Sequence, residues 1–172
     1  HGEASNILDS NGISAIHYVA SRKDVDFLRL LIVNRADINV KNKRTRKTPI
    51  EIACDACRFD NARFLLFSGA DVSPRGFTKR NIIHDICSNY RIYESTMYMD
   101  NAIKFIRLVL IRHLCINSVE LVKSNTPLHF ALQYDNSYRM VEGLLQMKAS
   151  VNKQNRLGQS PLLIASNKSV NI

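Results

Sequence analysis

The stretch Thr126-Pro127-Leu128-His129-Phe130-Ala131-Leu132 decides how this chain is read. Thr126 has the side chain of an N-cap, able to accept a bond from an orphan N–H of a first helical turn. Pro127 follows at the first helical position, where its missing N–H does no harm and its fixed φ suits a helix. Leu128, Ala131 and Leu132 fall at i, i+3 and i+4, giving the helix one apolar face. His129 lies close enough to the cap for its imidazole to bond a cap hydroxyl.

The same start occurs four more times, as Ser14-Ala15-Ile16-His17, Thr48-Pro49-Ile50-Glu51, Asn81-Ile82-Ile83-His84 and Ser160-Pro161-Leu162-Leu163. The opening residues are Thr, Ser or Asn, all strong cappers. The fourth positions are 17, 51, 84, 129 and 163, spaced by 34, 33, 45 and 34 residues. A period near 33 with a T-P-L-H-x-A start is the pattern of ankyrin repeats. The chain resembles the ankyrin-repeat family over essentially its whole length. That resemblance implies an all-α solenoid of stacked helix-turn-helix units with projecting hairpin fingers. We expect a single domain over 1–172, with a remnant at 1–8, repeats at about 9–39, 40–72, 73–117 and 118–152, and a partial repeat at 153–172.

Within that register, repeat one places Phe27, Leu28, Leu30, Leu31 and Ile32 on its second helix, and Arg35 stands where the family has Gly. Repeat two has its second helix near Asn61–Phe67 and closes at Ser68-Gly69-Ala70-Asp71-Val72. Repeat three carries an insertion, Ser88–Asp100, with Tyr90, Tyr93, Met97, Tyr98 and Met99, and its second helix is expected to resume at about Asn101. Long loops inside compact repeats are uncommon and often functional. The insertion reads equally as a functional loop or as a helix extension covering a flank. Repeat four has Met140, Val141, Leu144 and Leu145 on its second helix, and repeat five stops at Ile172 before a second helix is complete. The start at His1 points to a cut or engineered N-terminus, and the two ragged ends point to a piece of a longer protein.

The apolar content of 45% is that of an ordinary globular chain. No apolar run approaches the roughly 18 residues of a membrane span, and no secretory signal opens the sequence. Cys54 and Cys57 form a C-x-x-C, a spacing that invites zinc or redox chemistry. The repeat register favours packing instead: Cys54 and Cys87 take the small-residue position of Ala20, and Cys57 the place of a Gly between helices. Thiols used this way belong to cytoplasm or nucleus.

The net charge is +9, and the segments joining repeats carry it. Val40–Lys47 holds Lys41, Lys43, Arg44, Arg46 and Lys47; Ser73–Asn81 holds Arg75, Lys79 and Arg80; Lys153–Gln159 adds Lys153 and Arg156. Glu120 cancels Lys123, and Asp9 leaves the first finger negative, so the fingers account for the whole excess. Clustered charge of one sign steers acidic partners. Lys-Asn-Lys-Arg-Thr-Arg-Lys also has the look of a nuclear-localisation or nucleic-acid patch, and exposed lysines and arginines serve equally to keep edges apart.

His17, His84 and His129 recur at one register position. Equivalent residues of stacked repeats do not converge on a point, so they read as cap-bonding histidines rather than metal ligands. Glu51 and Leu163 replace them in repeats two and five. The glycines are isolated, with no phosphate-cradling loop, and no nucleophile, base and acid set stands out. No enzyme, cofactor, metal or small-molecule substrate is read here. The resemblance implies a non-enzymatic protein-binding module (adaptor, scaffold or inhibitor) whose partner lies across fingers and first helices. The residues that face would offer are the cations Lys41 to Lys47, Arg75, Lys79 and Arg80, with Tyr18, Arg22, Ile52, Phe130 and Tyr134, and Tyr90, Tyr93 and Tyr98 of the insertion. An acidic protein segment is the expected partner. Nucleic-acid binding through the basic fingers and the tyrosines, or a structural array in a larger receptor, channel or ubiquitin-ligase adaptor, are the alternatives.

Overall fold

The computed structural model describes residues 7–73 and 78–169. The chain divides into two compact units, His1–Val72 and Ser73–Ile172. All regular elements among the described residues are helices, and Leu8 and Ser14 form an isolated antiparallel bridge.

The first unit holds α1 (Ala15–Ala20), α2 (Val25–Val33), α3 (Pro49–Asp55) and α4 (Phe59–Phe67). α1 packs on α2 and α3, and α4 packs on α2 and α3, so two helix hairpins lie side by side. Ile16, Ala20, Leu28, Ile50, Ala53, Ala62 and Leu65 are fully buried between them, and each Ile or Leu removed from water contributes about 2 kcal/mol. Cys54 and Cys57 are buried in the same packing. A polar clamp joins the hairpins as well. The buried Asn61 amide donates to the carbonyls of Val19, Ala20 and Arg22 at 3.2, 3.1 and 2.6 Å, satisfying the C-terminal end of α1.

The second unit holds α5 (Ile82–Cys87), α6 (Tyr90–Tyr93), α7 (Thr96–Leu110), α8 (Pro127–Ala131), α9 (Tyr138–Gln146) and α10 (Pro161–Ser169). α8 packs against α5, α9 and α10, while α7 packs on α9 and α6. Of the two readings of the insertion, the structure has the helix extension, and only the start of the second helix departs from expectation. The second helix of this repeat begins at Thr96 rather than near Asn101, and Tyr90–Tyr93 forms a turn of helix ahead of it. The reason is apolar periodicity: Met99, Ala102, Ile103 and Ile106 stand at i, i+3, i+4 and i+7 and are all buried, so the helix extends to cover that stripe. Ile92 and Tyr93 are buried too. The insertion is thus folded onto its own repeat, and Tyr90 and Met97 are its exposed large hydrophobic side chains.

Cap chemistry punctuates both units. Ser14, Thr48, Asn81 and Thr126 are extended N-caps of α1, α3, α5 and α8, each closing a capping box with His17, Glu51, His84 or His129. Two residues before each cap, and before Ser160, the chain turns through positive φ: Gly12, Arg46, Lys79, Ser124 and Gly158. The second helices end the same way at Arg35, Gly69, His113 and Lys148, and Cys57 turns α3 into α4. Most of these positions hold side chains that tolerate left-handed backbone poorly, so tertiary packing imposes the turns.

Candidate functional site

The finger between α2 and α3 is built around Asn42. Its buried side chain accepts from the N–H groups of Arg44 and Thr45 at 2.8 and 3.0 Å, while its backbone N–H donates to Lys47 O and its carbonyl accepts from Arg46 N–H. This fixed turn holds Lys41, Lys43, Arg44 and Arg46 exposed, with no ionic partner for them among the described residues. Lys47 differs: its ammonium pairs with Asp55 of α3. Lys43 lies across Gly12 of the preceding finger, donating its N–H to Gly12 O at 3.1 Å. A Cβ on Gly12 would come within 2.3 Å of Lys43 Cβ, so Gly12 makes room for that contact.

On the same unit, Tyr18 of α1 is 49% exposed and its hydroxyl donates to Asp9 Oδ2 at 2.7 Å. That bond, with the N–H donors of Ile13 and Asn11, holds the Asp9 carboxyl below its ordinary range, and it pushes the Tyr18 phenol up. Arg22 is exposed, and Ile52 is half-buried. An open apolar hollow of about 340 Å³ lies between Ala15, Tyr18, Val19, Arg22, Asp24 and Phe27.

In the second unit Arg80 is committed internally. Its Nε donates to Asp85 Oδ1 at 2.8 Å, and a terminal nitrogen donates to His84 O and Ser88 Oγ at 3.1 and 2.5 Å. The guanidinium lies 4.4 Å from the centroid of the Phe130 ring, a cation–π contact. Tyr134 is half-buried, and its hydroxyl donates to Ser88 O at 2.5 Å. Tyr93 is buried, stacks on Tyr134 and donates its hydroxyl to Cys87 O at 2.8 Å; burial pushes its phenol well up. Tyr93 therefore belongs to the interior, while Tyr90 is exposed and Tyr98 half-buried. Lys79 is exposed in its finger, and Arg75 lies outside the described residues.

The histidines do more than cap. Nδ1 of His17, His84 and His129 accepts the N–H of Ser14, Asn81 and Thr126 at 3.2, 3.2 and 3.1 Å. Nε2 then donates to the next finger's carbonyl: Lys47 O at 3.2 Å, Ser118 O at 3.1 Å and Gln159 O at 3.0 Å. Each imidazole so links its cap to a finger some thirty residues on. Burial holds all three below the ordinary histidine range, His84 at about 4 with the Arg80 charge as a second cause. Glu51 keeps the local half of this role, its Oε2 accepting from Thr48 N–H and Oγ1 at 2.7 and 2.8 Å. A carboxylate has no proton to give a carbonyl, so the second half is unavailable to it. Glu120 organises another finger, accepting from Val122, Lys123 and Asn125 N–H. Burial pushes that carboxyl up, yet these donors together hold it below its ordinary range.

Sequence reasoning missed Asn42, Gly12, Asp55, Asp85 and Ser88 as the residues that place or neutralise the cations. Asn42 carried a legible signal, an Asn opening a turn. The acids carried none, because their pairing depends on how each finger folds back on its helix. Among the described residues no group of three or more His, Cys, Asp or Glu is placed to hold a metal, and no described helix is long and apolar enough to cross a membrane.

Helix hairpins joined by turned fingers and tied by cap histidines define a helical repeat protein of the solenoid class. A family model for ankyrin repeats, in three copies, matches residues 1–75, and the single ankyrin-repeat model matches residues 123–156. The chain belongs to the ankyrin-repeat family. It is similar to an ankyrin repeat protein of fowlpox virus (strain NVSL), 27% identical over 163 residues, 92% of this chain and 44% of that protein. It is 37% identical over 60 residues to the NF-kappa-B inhibitor cactus of Drosophila melanogaster, 35% of this chain and 12% of cactus. Protein PhlB of Serratia liquefaciens is 41% identical over 63 residues, 37% of this chain and 28% of PhlB. The chain spans less than half the length of these relatives. Family membership makes it a protein–protein interaction module, and ankyrin repeats are in general non-enzymatic.

Proposed function

We propose that the chain binds an acidic segment of a partner protein through the finger Val40–Lys47, as an adaptor, scaffold or inhibitor does. The observation that carries this reading is that Lys41, Lys43, Arg44 and Arg46 are exposed on an ordered turn without ionic partners among the described residues. Their counterparts Lys47 and Arg80 are neutralised by Asp55 and Asp85. A turn already ordered along its backbone presents the field of these unneutralised cations to an incoming carboxylate without the cost of ordering the loop. Tyr18, Arg22 and the hollow beside Phe27 offer apolar anchorage on the same unit. Cactus, by name an inhibitor of another protein, is a relative of matching type. We place the binding in cytoplasm or nucleus, a reading supported by the use of Cys54, Cys57 and Cys87 as small buried side chains in the helix packing.

The test is a pull-down from lysate, with and without nuclease, beside a variant carrying Lys43→Glu, Arg44→Glu and Arg46→Glu. A nuclease-resistant partner that the variant loses is the expected result. Binding that vanishes with nuclease would give the finger to nucleic acid, and unchanged binding by the variant would remove the finger from function.

A further inference from the structure

We propose that Thr45, at the tip of the basic finger, is a phosphorylation site that switches the finger's affinity for acidic partners. The switch rests on the binding reading above, whereas the modification itself does not. Several Ser and Thr side chains are exposed among the described residues: Ser10, Thr45, Ser68, Ser73, Thr96 and Ser166. Of these, Thr45 has cations on both sides, with Lys43 and Arg44 before it and Arg46 and Lys47 after it. A basic approach of this kind suits the acid-lined substrate cleft of an Arg- or Lys-directed serine/threonine kinase.

The geometry leaves the hydroxyl available. Thr45 Oγ1 accepts a long bond, 3.4 Å, from Lys47 N–H, and among the described residues its own proton meets no acceptor. To enter a kinase cleft in extended form the tip must release two backbone bonds, Asn42 N–H to Lys47 O at 2.9 Å and Arg46 N–H to Asn42 O at 2.8 Å, together with the Asn42 side-chain bonds to the N–H groups of Arg44 and Thr45. Arg46 is held at φ 60°, where a side chain is strained, which offsets part of what those bonds contribute.

In the reaction the γ-phosphoryl group of ATP passes to Thr45 Oγ1. The bond from γ-phosphorus to the bridging oxygen breaks, ADP leaves, and the hydroxyl proton goes to the kinase's base. The product carries a charge of about −2 and strong acceptor oxygens beside the guanidinium groups of Arg44 and Arg46. Bidentate pairing would draw those groups onto the phosphate. It would also cancel about half the field of the four unpaired cations.

The experiment treats the full chain with an Arg-directed serine/threonine kinase and Mg·ATP, then maps the phosphate by fragmentation mass spectrometry. Phosphate on Thr45, absent from Thr45→Ala, is expected. The modified chain should elute earlier from a cation exchanger and bind a labelled oligoglutamate peptide about tenfold more weakly at low salt. Phosphorylation of a free peptide spanning 40–48 but not of the folded chain would overturn the site. Unchanged elution and unchanged peptide affinity of the modified chain would overturn the switch. If the unmodified chain ignores oligoglutamate, the binding reading and the switch built on it both fail, while mass and elution still decide whether Thr45 is modified.

Discussion

Tyr93 stacks on Tyr134 with ring centroids 4.2 Å apart and planes 18° from parallel, and the two hydroxyls donate to the adjacent carbonyls of Cys87 and Ser88. The pair fastens the insertion of the third repeat to the end of α5 and to the turn after α8. Tyr93→Ala removes a buried ring and is expected to cost about 3 kcal/mol or more, whereas Tyr93→Phe loses one hydrogen bond and costs about 1 kcal/mol. Urea denaturation of the full chain measures both. Equal midpoints for Tyr93→Ala and the parent would mean that the stack holds nothing.

Arg80 joins Asp85, Ser88, the His84 carbonyl and the face of Phe130 through one planar fork. A lysine keeps the charge but not the fork or the stacking. Because the side chain is about a quarter exposed, solvent screening limits the loss: Arg80→Lys is expected to cost about 1 kcal/mol. The exposed Lys79→Ala should stay within about 0.5 kcal/mol of the parent. Thermal melts of the two variants side by side test the difference; a matched pair of melting temperatures would refute it.

His84 links stability to pH. Its folded value of about 4 lies below the unfolded 6.5, so between those limits the unfolded chain holds the extra proton. Its contribution is complete above pH 6.5 and declines as pH falls toward 4, by about 3 kcal/mol at most. His17 and His129 shift the same way and add to the slope. His84→Gln retains a side chain able to close the capping box and should flatten the dependence. Denaturation midpoints measured from pH 7 to 4.5 report it, and a parent that does not weaken on acidification would contradict the assignment.

His113 closes α7 at φ 65°, and Gly69 closes α4 at φ 97°. Left-handed backbone costs a side chain about 1 kcal/mol or more. His113→Gly should therefore raise the melting temperature and Gly69→Ala, made in open space, should lower it. A fall with His113→Gly would show that the imidazole makes a contact outweighing the strain.

The helix starts were legible because capping is local chemistry: Thr126 and His129 meet within one turn wherever the chain runs. The start of α7 at Thr96 was written in Met99, Ala102, Ile103 and Ile106, yet the neighbouring tyrosines left a functional loop and a helix extension equally open. The second bonds of the cap histidines were not legible, since their acceptors, Lys47, Ser118 and Gln159, are carbonyls that every residue possesses. Tyr93 and Tyr90 looked equivalent, and only packing turned the one inward and left the other exposed.

The repeat, its caps, its fingers and the sign of their charge follow from residue type and spacing, because periodicity and capping act over a few neighbours. Which cations remain free was decided by the fold. Lys47 and Arg80 meet acids on the helices behind them, while Lys41, Lys43, Arg44 and Arg46 meet none among the described residues. Coulomb attraction depends on separation and solvent exposure, and those are quantities that exist only once the chain has folded.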